Sequence, residues 1–482
     1  MADLIGVNAT LGPEDWTSEM DFKVSAKLIY ADGNEGTELR PIITELSYFE
    51  DLYGNITSGY LLLSDSSNYM SQMSLFGDEF VKFKLERSRN NPPSPPLQRY
   101  QRLYNVGSRN LSKDANENYK IRFASEEMAI SDQYRVSKAY KDVLISDIVK
   151  DIALNYLSVE ADCIKIFPTI GKYHIIVPNL KPMDAINWLC TLAISEDTRL
   201  KGASYTFFQN RNGWYFVPVL GLYGDHEKYG MGCYNDTTCP YEYKVKNNQS
   251  EEENFGPKTD PNKIILSYEI LSSYDMNEYT MDGAFANKLF WNDNHKRLHE
   301  TALFDYKEYF KLLKEKLPLY RDKQSYSLLT NAEDRFKKKH NEVPDTVVKM
   351  GFKTVNNRVD ETIPYRYPQL RHMFAIRIRI AVLGDVGLCA GKVIYVEIKE
   401  PAPVYSGNND QVRKKLDRIY SGYYLILALR HRADQETGFE TILELGKDSF
   451  LTACDPMDSP GLRDFNNSSE FLIDARKKGY FK

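Results

Sequence analysis

Two stretches of two-residue apolar alternation, one near each end of the chain, constrain this sequence more than any other feature. Phe22, Val24, Ala26 and Leu28 alternate with polar or small residues. Short strands are then expected at Ile43–Phe49, Tyr60–Leu63 and Phe80–Leu85, the last with Val81, Phe83 and Leu85 on one face. Towards the other end, Phe374, Ile376, Ile378, Ile380 and Val382 face one way, while Arg377 and Arg379 face the other. Val393–Ile398, Tyr423–His431 and Phe439–Leu445 continue that pattern, with a turn at Asp434–Gly438. Gly77-Asp78 supplies a turn in the first region. The run from Asn91 to Pro96 holds four prolines, which remove ladder donors, so it reads as a stiff loop between strands.

Between these regions the period changes. Ser146 is placed to cap a helix on which Ile148, Val149, Ile152, Tyr156 and Leu157 recur at helical spacing. Strands follow at Cys163–Phe167 and His174–Val177. Pro182 then opens a second helix with Ile186, Leu189 and Ala193 on one face. Strands at Tyr205–Gln209 and Trp214–Val217 close this α/β segment. Residues 247–262 are polar, acidic and punctuated by Gly and Pro, a linker or long surface loop. From Lys263 to His340 the signals are mixed, with helices expected at Phe304–Leu317 and Asn331–Lys339.

A chain of 482 residues exceeds one compact core, and length alone points to about three domains. Its 34 tyrosines suit half-buried strands and interfaces, since the ring packs while the hydroxyl stays hydrated. The net charge of −5 and the absence of any dense Lys/Arg stretch argue against tight nucleic-acid binding. Lys337-Lys338-Lys339 and Arg413-Lys414-Lys415 are short, have acids nearby, and read as solvated faces. Met1–Gly6 lacks the layout of a signal peptide, and no apolar run approaches the roughly 18 residues of a membrane span. Folding in a cytoplasm is the expectation. Cys163, Cys190, Cys233, Cys239, Cys389 and Cys454 then read as free thiols.

Candidate chemistry is sparse. His295 and His299 are four apart and would share a face on a helix, but Lys296 stands where a zinc-protease motif needs Glu. Surface helix histidines are the expectation. Cys233 and Cys239 have no second Cys or His pair at zinc spacing. Gly387 to Lys392 approaches a phosphate-binding loop but is one residue short, lacks a Ser or Thr after the lysine, and joins two strands. A hairpin turn accounts for it better. No catalytic residue, cofactor site or metal site is assigned.

The order of four segments carries further information. Ile43–Glu86 reads as a strand, an acidic turn, a Gly-led strand ending in Ser-Asp, then Phe-Gly-Asp-Glu before another strand. Val136–Leu157 (VSKAYKDVLISDIVKDIALNYL), His174–Ser195 (HIIVPNLKPMDAINWLCTLAIS) and Asp385–Phe450 follow, the last with AGKVIYVEI, SGYYLILALRHR and GFETILELGKDSF. In this order they resemble the baseplate hub proteins of contractile-tailed, T-even-like bacteriophages. The resemblance is weakest from about residue 220 to 370. It implies an α+β, mainly β fold: two tail-tube-like antiparallel β-barrel domains with inserted α/β domains. The expected division is residues 1–130 as a first barrel, 131–220 as an inserted α/β domain and 221–370 as a mixed insertion that can lend strands to the second barrel. Residues 371–450 form that second barrel and 451–482 a C-terminal arm. Within the chain, Phe76–Phe83 and Ala390–Val396 echo each other, each placing glycine and charge ahead of an alternating strand.

The resemblance further implies a non-enzymatic homotrimer whose barrels make a pseudo-sixfold ring in the tail baseplate of a virion, assembled in the host cytoplasm. Its partners would be the tail tube protein or a distal tube adaptor and the central spike, with tape-measure and baseplate wedge proteins as further candidates. The chain ends without a lysozyme-like domain or repetitive β-helix, so the spike is expected on a separate protein. DNA would pass through the ring without specific binding, which requires Arg377 and Arg379 to be paired, with Glu440 and Glu444 on a nearby strand as partners, or turned away from the channel. The rival readings are the hub of a phage-derived protein-injection particle and a tail-associated peptidoglycan hydrolase. A carbohydrate-binding module fits less well, because the aromatics are spread along strands.

Overall fold

The computed structural model describes residues 5–6, 22–30, 33–66, 75, 77–87, 94–111, 117–202, 204–230, 241–245, 263–273, 275–293, 296–323, 326–327, 348–353, 358–399, 417 and 419–450. The expected helix at Asn331–Lys339, the linker 247–262, the C-terminal arm and both basic runs lie outside these residues.

Six strands make the first barrel: β1 (Phe22–Ile29), β2 (Ile43–Asp51), β3 (Ser58–Asp65), β4 (Phe80–Arg87), β5 (Leu97–Leu111) and β6 (Glu117–Ala124). Their spatial order is β1-β4-β5-β6-β3-β2, every pair antiparallel. The seam between β1 and β2 is filled by the segment from Glu35, which pairs with β1 at Lys27 and Ile29 and leads through a short 3-10 turn into β2. Alternation does the folding. Val24, Leu28, Leu46, Leu61, Val81, Phe83, Leu85 and Ile121 all point into one core.

The second barrel repeats that plan. Its strands are β7 (Tyr241–Val245), β8 (Ile264–Ser272), β9 (Ile376–Leu383), β10 (Val393–Glu397), β11 (Gly422–Asp434) and β12 (Gly438–Lys447). Their order is β7-β10-β11-β12-β9-β8, the same connectivity as the first, and a short β7–β8 pairing closes the ring. In both barrels a glycine with positive φ stands just ahead of the fourth strand, Gly77 before β4 and Gly391 before β10. The echo between Phe76–Phe83 and Ala390–Val396 thus marks one topological position used twice. The barrels differ in one strand: β7 runs parallel to both its neighbours, where an all-antiparallel barrel was expected. A short strand entering from a distant insertion has no hairpin to fix its direction.

The α/β insertion follows β6. Val136–Leu144 pairs antiparallel with Lys172–Leu180, the helices Ile145–Asn155 and Pro182–Cys190 pack on them, and a three-stranded sheet in the order Ile164–Ile166, Gly213–Pro218, Tyr205–Asn210 completes the layer. Pro182 occupies the first turn as expected, and Ile148, Val149, Ile152, Leu157, Ile186, Leu189 and Ala193 are buried together. Ser146 is not the cap. The strand runs straight into the helix through Leu144, and Ser146 is buried in the first turn, where its backbone N–H donates to Thr169 Oγ1 at 3.0 Å. A second insertion holds Ala286–Asp293 between Leu298–Asp305 and Val348–Lys353, backed by the helix Val359–Met373, with the helix Tyr306–Lys316 alongside.

Candidate assembly interface

The two barrels share one sheet. β2 adds its outer edge to the far half of β11, with Glu45–Asp51 antiparallel to Ala428–Asp434. On the outer face of this seam Glu45 bonds Arg430 at 2.8 Å and Arg432 at 3.1 Å, and Arg432 also reaches Glu440 at 3.1 Å and Asp434 at 3.0 Å. Burial opposes the charge on Glu45. Hydrogen bonds from Ser47, Tyr60 and Arg432 override it and hold the carboxyl below its usual range. Arg430 also lies over the rings of Phe49 and Tyr60, 5.6 and 5.8 Å from their centroids.

A second clasp sits inside the junction. Glu50, 1% exposed, accepts the backbone N–H of Ala390 at 2.9 Å and of Arg211 at 2.5 Å. One carboxylate thereby ties the first barrel to the insertion and to the β9–β10 loop. Burial raises its pKa, and the backbone hydrogen bond from Ala390 and the charges of Arg99 and Arg211 pull the other way. The insertion is further pinned by Thr206, whose Oγ1 donates to Leu52 O at 2.8 Å, and by a pair of hydrogen bonds between the Asn55 and Asn187 side-chain amides at 2.8 and 2.9 Å. Contacts of this density fix the insertion against the barrel.

The loop from Gly384 to Lys392 is not a hairpin turn. The strands it joins, β9 and β10, are not neighbours, so the loop crosses the end of the barrel. It carries Val386 into the first barrel's core, Leu388 into the second's and Cys389 with Ala390 into a third cluster. Lys392 is buried and donates to Gly387 O at 3.0 Å. Hydrophobic anchors hold this loop, and it opens no helix at which a phosphate could be cradled.

The outward arginines of β9 are paired. Arg377 bonds Glu444, and Arg379 bonds Glu269 at 3.0 Å, while Glu440 serves Arg432. His299 lies exposed on the strand Leu298–Asp305, so the helical placement expected of the pair is corrected here; His295 lies outside the described residues. Cys163 is exposed, Cys190 and Cys389 are buried, and none of the three is in a disulfide; Cys233, Cys239 and Cys454 lie outside the described residues. Among the described residues no group of three or more His, Cys, Asp or Glu could hold a metal, and no helix is long and apolar enough to cross a membrane. Sequence reasoning missed the Glu45 and Glu50 clasps. The signal was present for Glu50, an acid on the same alternating face as Leu46 and Tyr48.

No family model matches the sequence, and no curated protein matches it. Among solved structures the chain is similar to the tail protein from Neisseria meningitidis MC58, with a TM-score of 0.48 at 10% identity over 89% of this chain and 98% of that one. It is also similar to the 43 kDa tail protein of prophage MuSo2 from Shewanella oneidensis, with a TM-score of 0.49 at 7% identity over 88% and 98%. A third similarity is to prophage tail protein gp18 from Listeria monocytogenes EGD-e, with a TM-score of 0.39 at 10% identity over 88% and 95%.

Proposed function

We propose that this chain is a structural ring subunit, the hub of a contractile-type phage tail baseplate, working as a homotrimer. The observation that carries the reading is the duplicated barrel. One connectivity, β1-β4-β5-β6-β3-β2, occurs twice in one chain, with the two copies joined edge to edge. Three such chains supply six quasi-equivalent barrels while keeping threefold symmetry. That meets the need of a joint between a sixfold tail tube, or its distal adaptor, and a threefold spike. Tape-measure and wedge proteins would meet the same ring from either side. The work is geometric, and the buried clasps at Glu45 and Glu50 supply the rigidity it requires.

Genome ejection through such a ring demands a lumen that does not hold phosphates. The pairing of Arg377 with Glu444 and of Arg379 with Glu269 supports passage without specific binding. The alternative cargo is protein, as in phage-derived injection particles. An image of the intact particle tests the assignment: density for this chain in a ring at the tail tip, between tube and spike, is the expected result. The hydrolase reading predicts clearing of a suspension of purified cell walls, which the hub reading predicts will stay turbid.

A further inference from the structure

Among the described residues the contact that joins the two barrels inside the chain is made once, although the chain holds two strands of each kind that make it. β2 and β8 are the second strands of their barrels, and β5 and β11 the fifth. Bulges fix how they correspond. Thr44 is skipped where β2 pairs with β3, and Leu266 is skipped at the same place where β8 pairs with β9. Leu427 is skipped where β11 pairs with β12, and Tyr104 where β5 pairs with β6. Aligned on these bulges, Tyr268 and Ile270 stand where Leu46 and Tyr48 stand. Tyr104 and Val106 stand where Leu427 and Leu429 stand.

Exposure separates the two sets. In the contact that is made, Leu46 and Tyr48 are 0% exposed, Leu427 is 6% and Leu429 is 3%. At the matching positions Tyr268 is 44% exposed, Ile270 42%, Tyr104 48% and Val106 40%. Among the described residues, β8 has a partner on its outer edge only at Ile264 and Ile265, and β5 beyond Leu103 is paired only with β6. A chain thus presents one donor edge and one acceptor edge of a contact whose geometry it already contains. Open apolar edges of this kind call for a strand.

We infer that β8 of one copy adds antiparallel to the far half of β5, Leu103–Leu111, of the next copy, repeating between chains the β2–β11 contact made within each. The occupant of both edges is a second copy, because the complementary surface for each is carried by the other end of the same molecule. Such a contact is heterologous, and with a rotation of one third of a turn per chain it closes into the proposed ring. The inference rests on the ring reading above and assigns its interface.

Two full-length variants test this without depending on register. Tyr268→Asp spoils the β8 edge alone, and Val106→Asp spoils the β5 edge alone. Each is expected to keep the circular dichroism of the wild type and to run as a monomer in native mass spectrometry. Mixed together, they are expected to give a one-to-one dimer and nothing larger, since one good β8 edge and one good β5 edge remain. A wild-type ring that both charged variants leave intact would overturn this interface while leaving the ring reading standing. A wild-type chain that stays monomeric at high concentration, alone and with its spike, would overturn both.

Discussion

Glu50 shows how polar side chains placed out of reach of water shape the stability of this fold. Its carboxylate is the shared acceptor for two backbone N–H groups from segments 161 and 340 residues away. Glu50→Ala would leave both donors buried and unpaired, an expected loss of about 3–5 kcal/mol in urea unfolding, with a smaller loss for Glu50→Gln, which keeps one acceptor. Lys447 is the second such residue. It is fully buried at the end of β12, donates to Ser421 O at 2.7 Å and sits 4.8 Å from the centre of the Tyr424 ring. Burial lowers its pKa to about 7, with Asp417 and Asp448 opposing. Between pH 7 and the unfolded value near 10.4 the unfolded chain binds the extra proton, so stability rises with pH across that window. The contribution is about 1.4 kcal/mol per pH unit. Lys447→Met should flatten this rise and raise stability at pH 6 by about 1–4 kcal/mol. Unfolding curves of both proteins from pH 6 to 10 give the difference directly. A wild-type curve parallel to that of the variant would show that the ammonium is hydrated.

Among the elements, the β9–β10 loop reaches far for its length, since its side chains enter three cores. Leu388→Ala is expected to cost about 2–5 kcal/mol. Gly384→Ala is expected to destabilise as well, because a Cβ there would overlap the Phe439 ring. Chemical denaturation of the two variants checks both. This loop also marks where the sequence stops being readable. Gly387 to Lys392 looks like a turn because glycine and charge flank it, and only the pairing of distant strands shows that it crosses the barrel. The barrel strands were legible because one buried face forces alternation, as in Ile376, Ile378, Ile380 and Val382. Ser146 was misplaced because a strand that feeds a helix directly needs no polar cap. The histidines at 295 and 299 suggested a helix by spacing alone, whereas the pairing of Leu298–Asp305 with Ala286–Asp293 puts His299 on a strand. The helix Val359–Met373 was hidden by Pro364 and Pro368 within it. Arg379 finds Glu269 because β8 pairs with β9 and puts the two opposite each other; β8 lies in the region of mixed signals, so that partner could not be named from the sequence.

At the scale of the whole molecule, duplication is the organising fact. A chain that carries two barrels of one connectivity, already joined by a strand-to-strand contact, would on the proposed reading supply two of the six barrels of a ring. The arginines of β9 are neutralised by acids on the strands on either side of it, which is what the proposed channel would require of any face that lined it. Removing those acids should therefore change the channel more than the fold. Glu444→Gln with Glu269→Gln is expected to leave assembly intact and to create salt-sensitive retention of double-stranded DNA by the ring, read by titration at low and moderate salt. The measurement that bears most directly on the central claim is the mass of the native assembly bound to its spike, combined with an image down its axis. Three copies presenting six barrels around one channel is the predicted result; a stable monomer or dimer in the mature particle would contradict it.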